Sequence, residues 1–367
     1  MKWIVPYINF KEQYKIHGKS YVKAFNRVMI NGDFILRDDV TKFEQNLKKY
    51  LKTKYVIGVN SGTDGLLLSL GSLGLKKGSE VITVSHTYVA TLSAITHIGC
   101  KPVFCDIDND YNINPKKIEA LINKNTKAIV AVHLNGRSCN MDIIKKLCKK
   151  YKLYLVEDAA QSLGAEYKNQ KVGTFGIAGS FSLHPLKSLS GAGDGGFIST
   201  NNNKLAKQLF RLRNHGQKSR TDISHFGFNS RLDNLQAALI NIKFKKFNND
   251  IKKRRKIATL YLKNLKNLPI ILPILDGSNN FDTCNSFVIR VKNQKNFFKF
   301  LNKKKIEVFI NWPKPIHAHK GLNLKLNTKL PITEKFCKEM ISLPIFPEMK
   351  QKQINYVIKT IKEFYNQ

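Results

Sequence analysis

The chain has 367 residues, 42% of them hydrophobic, with 62 Lys and Arg against 26 Asp and Glu and a formal net charge of +36. That length supports a sizeable core in two domains or one large α/β unit, and no apolar run of about 18 residues occurs to span a membrane. The lysines are scattered, with small clusters at "KFKKFNNDIKKRRK" and "NKKKIE" and no RNA-recognition, zinc-finger or basic-zipper signature. The charge therefore reads as a solvated basic surface that attracts phosphorylated small molecules, not as a nucleic-acid interface.

The opening "MKWIVPYINFKEQ" is apolar for only a few residues and lacks a small-residue cleavage site, so it does not read as a signal peptide. The six cysteines (Cys100, Cys105, Cys139, Cys148, Cys284 and Cys337) lie far apart without a C-x-x-C spacing. Isolated reduced thiols of a cytoplasmic protein are expected. The nine histidines include no H-E-x-x-H pattern, and no metal is expected.

In chain order, "KYVIGVN" predicts a strand and "SGTDGLLLSLGSLGL" a helix opening on Ser61, Gly62 and Thr63. "SEVITVS" is a strand, "ATLSAITHIG" a helix with a glycine stop, and "KPVFCDID" a strand. "PKKIEALINK" is a helix begun by proline, "KAIVAVHL" a strand, "MDIIKKLCKKY" a helix and "KLYLVED" a buried strand. "GIAGSFSL" and "GGFIST" are strand-like, and residues 203–214 turn helical. Apolar strands alternating with helices predict a mostly parallel sheet covered on both faces. A long helical stretch, "RLDNLQAALINIKFKKFNNDIKKRRKIATLYLKNL", leads out of it. "SFVIRV", "NFFKFLNKKKI" and "EVFINW" then predict a small β-α-β unit, followed by helices at "PITEKFCKEMI" and "QKQINYVIKTIKEFYN". The expected division is a large domain over 1–245, with the N-terminal segment, and a small C-terminal α/β domain over 246–367.

In such sheets ligands bind at the carboxyl ends of the strands, which places 60–63, 85–88, 158–161 and Lys187 on one rim. Ser61, Gly62 and Thr63 form a helix start whose free N–H groups suit a phosphate, or else simply cap the helix. Glu157 and Asp158 end a hydrophobic strand facing opposite sides. Either one beneath a pyridine ring would keep its nitrogen protonated, although a strand-end acid also caps turns. Tyr88 can stack on a planar ring or fill the core. Lys187, in "FSLHPLKSLSGAGDGGFIST", stands alone among small, apolar and glycine residues. A lysine so placed either snorkels to water or is desolvated, and a desolvated amine gives up its proton and forms imines. A phosphate cradle, a stacking aromatic, a ring-nitrogen acid and a later lysine, in that order, suit pyridoxal 5'-phosphate.

These residues carry a resemblance. "NSGTDGL", "SHTYVATLSAITHIGCKPVFCDID", "VEDAAQSLGAEYKNQKVGTFG", "SFSLHPLKSLSGAGDGGFIST", "LRNHGQ" and "GFNSRLDNLQAAL" are similar to the DegT/DnrJ/EryC1/StrS family of pyridoxal-phosphate sugar aminotransferases, over nearly the whole chain. The resemblance implies an aspartate-aminotransferase-like fold (fold type I) in which Lys187 forms the imine and moves the proton. By the same likeness Asp158 meets the pyridine nitrogen, Gln161 lies near the ring hydroxyl and Tyr88 stacks on the ring. Gly62, Thr63 and Ser182 would hold the phosphate, joined by Asn229 from a second subunit, so the site is expected in a homodimer. The implied donor is an amino acid, usually glutamate, and the acceptor a nucleotide-linked keto-sugar, with C3 slightly favoured over C4, in a cytoplasmic enzyme of glycan biosynthesis. Alternatives are a regulator or nucleic-acid binder on the same fold, or a sugar dehydratase, whose branch replaces the lysine by histidine. His184, three residues before Lys187, is read as a wall residue. Departures from the family lie at Gly65, expected only to loosen the helix start, at Leu36 and Arg37, and at Asn135, Arg137 and Cys139.

Overall fold

The computed structural model describes residues 3–277, 279–324 and 328–366. Seven strands form one sheet in the order Tyr55–Val59, Gly196–Thr200, Ala178–Ser182, Tyr154–Asp158, Thr126–Val132, Glu80–Val84 and Lys101–Cys105. Neighbouring strands run parallel except Gly196–Thr200, which is antiparallel to both of its neighbours. The strands are buried along nearly their whole length, as a sheet covered on both faces requires. The α/β expectation is met, and the crossover helices start where local chemistry dictates. Asn114, Asn140 and Asn202 each cap a helix by accepting a backbone N–H from its first turn.

Two helices that the sequence pattern left unassigned precede the sheet, Phe10–Asn31 and Asp38–Leu51. The second buries Val40, Phe43, Leu47 and Leu51 against Phe181, Phe197 and Leu232. The long helical stretch is two helices, Asn234–Phe244 and Phe247–Leu265.

A second core gathers Ile257, Tyr261, Phe287, Phe297, Leu301, Ile341, Leu343, Val357 and Ile361. Val5 joins it and bridges to Ile306, so the N-terminal segment packs on C-terminal residues. Here the expected elements are corrected. "EVFINW" contributes only a single bridge from Phe309 to Ser342, and the strand paired with Phe287–Arg290 is Met340–Leu343, where a helix was predicted. The helix ends at Cys337, where the Lys338 N–H closes its last turn on Lys335 O and Phe336 O, and Gln294 Nε2 donates to the carbonyls of Cys337 (3.2 Å) and Met340 (2.7 Å). All six cysteines are free and buried. No helix among the described residues is long and apolar enough to cross a membrane.

Candidate active site

The carboxyl ends of the parallel strands and the start of Gly196–Thr200 meet at one rim. Helix Gly62–Gly71 begins there: Ser61 caps it by accepting the Asp64 N–H at 3.1 Å, and the Ser61 carbonyl takes the Gly65 N–H at 3.0 Å. The N–H groups of Gly62 and Thr63 have no acceptor among the described residues. A Cβ on Gly62 would lie 2.9 Å from Ser182 Cβ, which brings the Ser182 hydroxyl beside those free donors. Gly196 is required for the same close approach, since a Cβ there would run into the Ser61 carbonyl and the Gly62 nitrogen. Two backbone donors at a helix start and one hydroxyl form a cradle for an oxyanion.

The two strand-end carboxylates separate completely. Glu157 is 0% exposed and saturated: Oε2 accepts from His133 Nε2 (3.1 Å) and the Gly173 N–H (2.6 Å), Oε1 from the N–H groups of Phe175 and Gly176 (both 2.7 Å). His133 Nδ1 accepts the Cys139 N–H at 3.0 Å, which needs an unprotonated Nδ1, so the proton sits on Nε2 and the ring is neutral in this arrangement. This holds even though, against the lowering by burial, Cys139 and Glu157 push its pKa up to about 10. Asp158 is 6% exposed and takes only the Thr91 hydroxyl on Oδ2 (2.7 Å) and the Ala160 N–H on Oδ1 (3.2 Å). Burial raises its pKa, while the Thr91 and Ala160 hydrogen bonds and the charge of Lys187 pull the other way. Asp158 therefore has acceptor capacity left for a further donor, and Glu157 has none.

Lys187 sits on the turn 184–191, which the bonds Leu183 N–H to Gly195 O and Gly191 N–H to Leu183 O close at its base (both 2.8 Å). Ser188 fixes the turn through its N–H and hydroxyl on Asn285 Oδ1 (3.2 and 2.9 Å), and Ala192 N–H donates to Gln236 Oε1 at 2.9 Å. Desolvation lowers the Lys187 pKa and the Asp158 carboxylate partly opposes this. The amine and the carboxylate thus act on each other electrostatically. His184 is exposed, its Nδ1 accepting the Leu186 N–H at 3.2 Å.

Gln161 lies at the same rim, its Oε1 accepting the Asn135 N–H at 3.0 Å, which turns the amide nitrogen outward. Tyr88 precedes helix Val89–His97 and is 65% exposed. Asn229 is exposed on a loop with the exposed Ile223, Phe226 and Phe228, while the next residue, Ser230, donates to Asp64 Oδ2 at 2.7 Å. The Gly65 departure is corrected: it is a packing exchange, because a Cβ there would meet the Ser180 hydroxyl, which instead donates to Gly62 O at 2.9 Å. Leu36 stands at φ 52°, a left-handed conformation that favours glycine. Arg137 is tied down by Asp282 (2.6 Å) and Asp110 (3.5 Å). Sequence reasoning missed Thr91 and Thr87, both 1% exposed, whose hydroxyls lie 2.8 Å apart. Their four-residue spacing in "HTYVAT", with Tyr88 between them, was the available signal.

The model of the DegT/DnrJ/EryC1/StrS aminotransferase family matches residues 15–362. A relative from Aneurinibacillus thermoaerophilus, named dTDP-3-amino-3,6-dideoxy-alpha-D-galactopyranose transaminase, is 38% identical over 98% of this chain and 99% of its own. A relative from Geobacillus stearothermophilus, named pleiotropic regulatory protein, is 36% identical over 98% of each chain. The solved structure of NtdA from Bacillus subtilis with bound cofactor PMP superposes with a TM-score of 0.89 at 29% identity, covering 96% of this chain and 82% of that one.

Proposed function

We propose that this chain, which belongs to the DegT/DnrJ/EryC1/StrS aminotransferase family, transfers an amino group from L-glutamate to C3 of a keto-sugar carried on a nucleoside diphosphate, using pyridoxal 5'-phosphate. The observation that carries the reading is the pairing of a desolvated amine, Lys187, with a buried carboxylate, Asp158, that still has room for a donor. A structural ion pair would saturate both groups, as Glu157 is saturated.

The donor set fits this cofactor. The Gly62 and Thr63 N–H groups and the Ser182 hydroxyl would bind its phosphate, Asp158 would accept from the ring nitrogen, and the Gln161 amide would face the ring hydroxyl. Tyr88 would cover one face of the ring. When bound, pyridoxal phosphate supplies an aldehyde carbon and an electron-withdrawing ring. Lys187, whose pKa is lowered by desolvation, would be the nucleophile toward that carbon and would then accept and return the substrate proton at Nζ. The turn 184–191, pinned by Asn285, keeps Nζ in place through both roles. In this reading Asn229 completes the phosphate site from a second copy of the chain, which makes the working unit a homodimer. The relative named a 3-amino-sugar transaminase supports the nucleotide-sugar substrate and the C3 position, and the bound PMP of NtdA supports the cofactor.

The test is the near-visible absorbance of the protein loaded with pyridoxal phosphate, before and after L-glutamate, followed by 3-keto and 4-keto nucleotide sugars. A band that shifts with glutamate and returns with the 3-keto sugar supports the proposal. Return only with the 4-keto sugar moves the site of amination, and a band indifferent to every amino acid favours the regulatory role that the Geobacillus relative's name describes.

A further inference from the structure

The Thr87–Tyr88–Val89–Ala90–Thr91 segment is placed so that its two hydroxyls form a directed chain. Asp158 Oδ2 can only accept from Thr91 while ionised, so the single Thr91 proton points to the carboxylate at 2.7 Å. Thr91 is then left as an acceptor, and Thr87, at 2.8 Å, must donate to it. The order is therefore Thr87 to Thr91 to Asp158. Both threonines are 1% exposed, so no water competes for either hydroxyl, and chained hydrogen bonds polarise one another in such surroundings. Thr91 lies in the first turn of helix Val89–His97, and its β-branch restricts χ1. The hydroxyl thus has a fixed address. The opposite oxygen, Oδ1, takes the Ala160 N–H at 3.2 Å. Between them these donors set the plane of the carboxylate and leave its remaining lone pairs on the open side of the rim.

We propose that Thr91, oriented by Thr87, is a positioning residue that holds the Asp158 carboxylate in one orientation and in its acceptor role within a dry site. A buried carboxylate without such support would take up a proton and become a donor, the wrong partner for a protonated ring nitrogen. The titratable groups that face Asp158 are Lys187 from the turn 184–191 and His133 from the end of the neighbouring strand. His133 is neutral with Nδ1 accepting the Cys139 N–H, so Thr91, the Ala160 N–H and Lys187 carry the support. The same segment delivers Tyr88 to the rim, so one short stretch orients both the carboxylate and the aromatic ring. The role toward the ring nitrogen rests on the proposed use of pyridoxal phosphate. The effect on the carboxylate itself does not.

The experiment compares wild type with Thr91→Val, Thr91→Ser and Thr87→Val. Isotope-edited infrared spectra of the protein without cofactor, with Asp158→Asn to assign the carboxylate band, give the Asp158 titration midpoint. Thr91→Val should move that midpoint upward, Thr91→Ser should keep it near wild type, and Thr87→Val should move it in the same direction by less. In parallel, fluorescence titration should show pyridoxal phosphate bound about tenfold or more weakly by Thr91→Val, the scale of a lost hydrogen bond to a charged group, with Thr91→Ser restoring most of it. The near-visible band of the loaded Thr91→Val protein should change with pH at a displaced midpoint. A Thr91→Val midpoint and affinity equal to wild type overturn the proposal, and so does a Thr91→Ser protein as impaired as Thr91→Val. If Thr91→Val does not fold, an unshifted midpoint in Thr87→Val overturns it. Wild type that fails to bind pyridoxal phosphate refutes the functional reading alone, and the infrared midpoints still decide the role of Thr91.

Discussion

Glu157 and Asp158 are neighbours in sequence, share a strand and differ by one methylene, yet they face two regions built on opposite plans. On the Glu157 side, the carboxylate gathers three backbone N–H groups of the 173–176 loop and the His133 ring, and every acceptor position is used. On the Asp158 side, one hydroxyl and one N–H suffice, and a desolvated lysine stands nearby. The first region uses charge to fold a loop; the second keeps charge in reserve. Saturation separates an architectural acid from a chemical one where burial alone does not, since the two are 0% and 6% exposed.

The largest effect that this contrast predicts is at Lys187. Lys187→Ala removes the group proposed as both nucleophile and proton carrier, and amino transfer should fall by roughly 10,000-fold or more, measured as product amino sugar and as loss of the near-visible band. Retained transfer would break the reading of the Asp158 region as chemical. Next come the acids themselves. Asp158→Asn should cost activity roughly a hundredfold or more with little change in melting temperature, because an amide relieves a desolvated charge. Glu157→Gln should do the reverse. An amide has one acceptor oxygen in place of two, so N–H groups of Gly173 or of Phe175 and Gly176 lose their partner, at about 3 kcal/mol of stability. Thermal and urea denaturation of both variants check this, and equal stability losses would erase the distinction.

The fold was legible because the strands of the large sheet are mostly apolar and buried, and because four crossover helices announce their start with Ser61, Asn114 before Pro115, Asn140 and Asn202. The rim followed from strand polarity. What the pattern could not show was which strand-end acid faces the site, because alternation places them on opposite sides without saying which side is saturated. That depends on a loop, 173–176, whose backbone N–H groups have no side-chain signature. Thr91 was hidden for a related reason: a threonine in a helix's first turn reads as ordinary capping chemistry. The strand Met340–Leu343 was misread because a helical pattern runs straight into it, and the Gln294 side chain that holds the carbonyls of Cys337 and Met340 beyond the helix end comes from a distant part of the chain.

The same pair of groups sets opposite pH signatures on stability. Desolvation holds the folded pKa of Lys187 below its ordinary value of 10.5. Between the two values the unfolded chain holds a proton that the folded chain has lost, so this residue's contribution rises with pH across that window. Asp158 has a folded pKa above 3.8. There the folded chain keeps a proton that the unfolded chain has lost, and its contribution falls as pH rises through that range. Urea titrations of the cofactor-free protein should show a difference from Lys187→Met that grows across the alkaline window and one from Asp158→Asn across the acid window. Parallel curves would mean that the two groups are solvated after all.

The smallest expected effect tests the packing behind the Asp158 region. Ser180 pairs with Asp158 in the sheet register, and its hydroxyl fills the space that a Cβ on Gly65 would need. Gly65→Ala alone should therefore destabilise by about 2 kcal/mol through overpacking. Adding Ser180→Ala removes the obstruction at the loss of one hydrogen bond to Gly62 O, about 1 kcal/mol, while alanine in place of glycine inside the helix returns about as much. The double variant should thus lie within about 1 kcal/mol of wild type, a coupling of about 3 kcal/mol between adjoining sites. Because neither residue touches the Asp158 carboxylate, cofactor affinity should follow stability in neither variant. If the two substitutions prove additive, Gly65 and Ser180 do not share one space, and the packing account of that departure fails while the Glu157–Asp158 contrast stands.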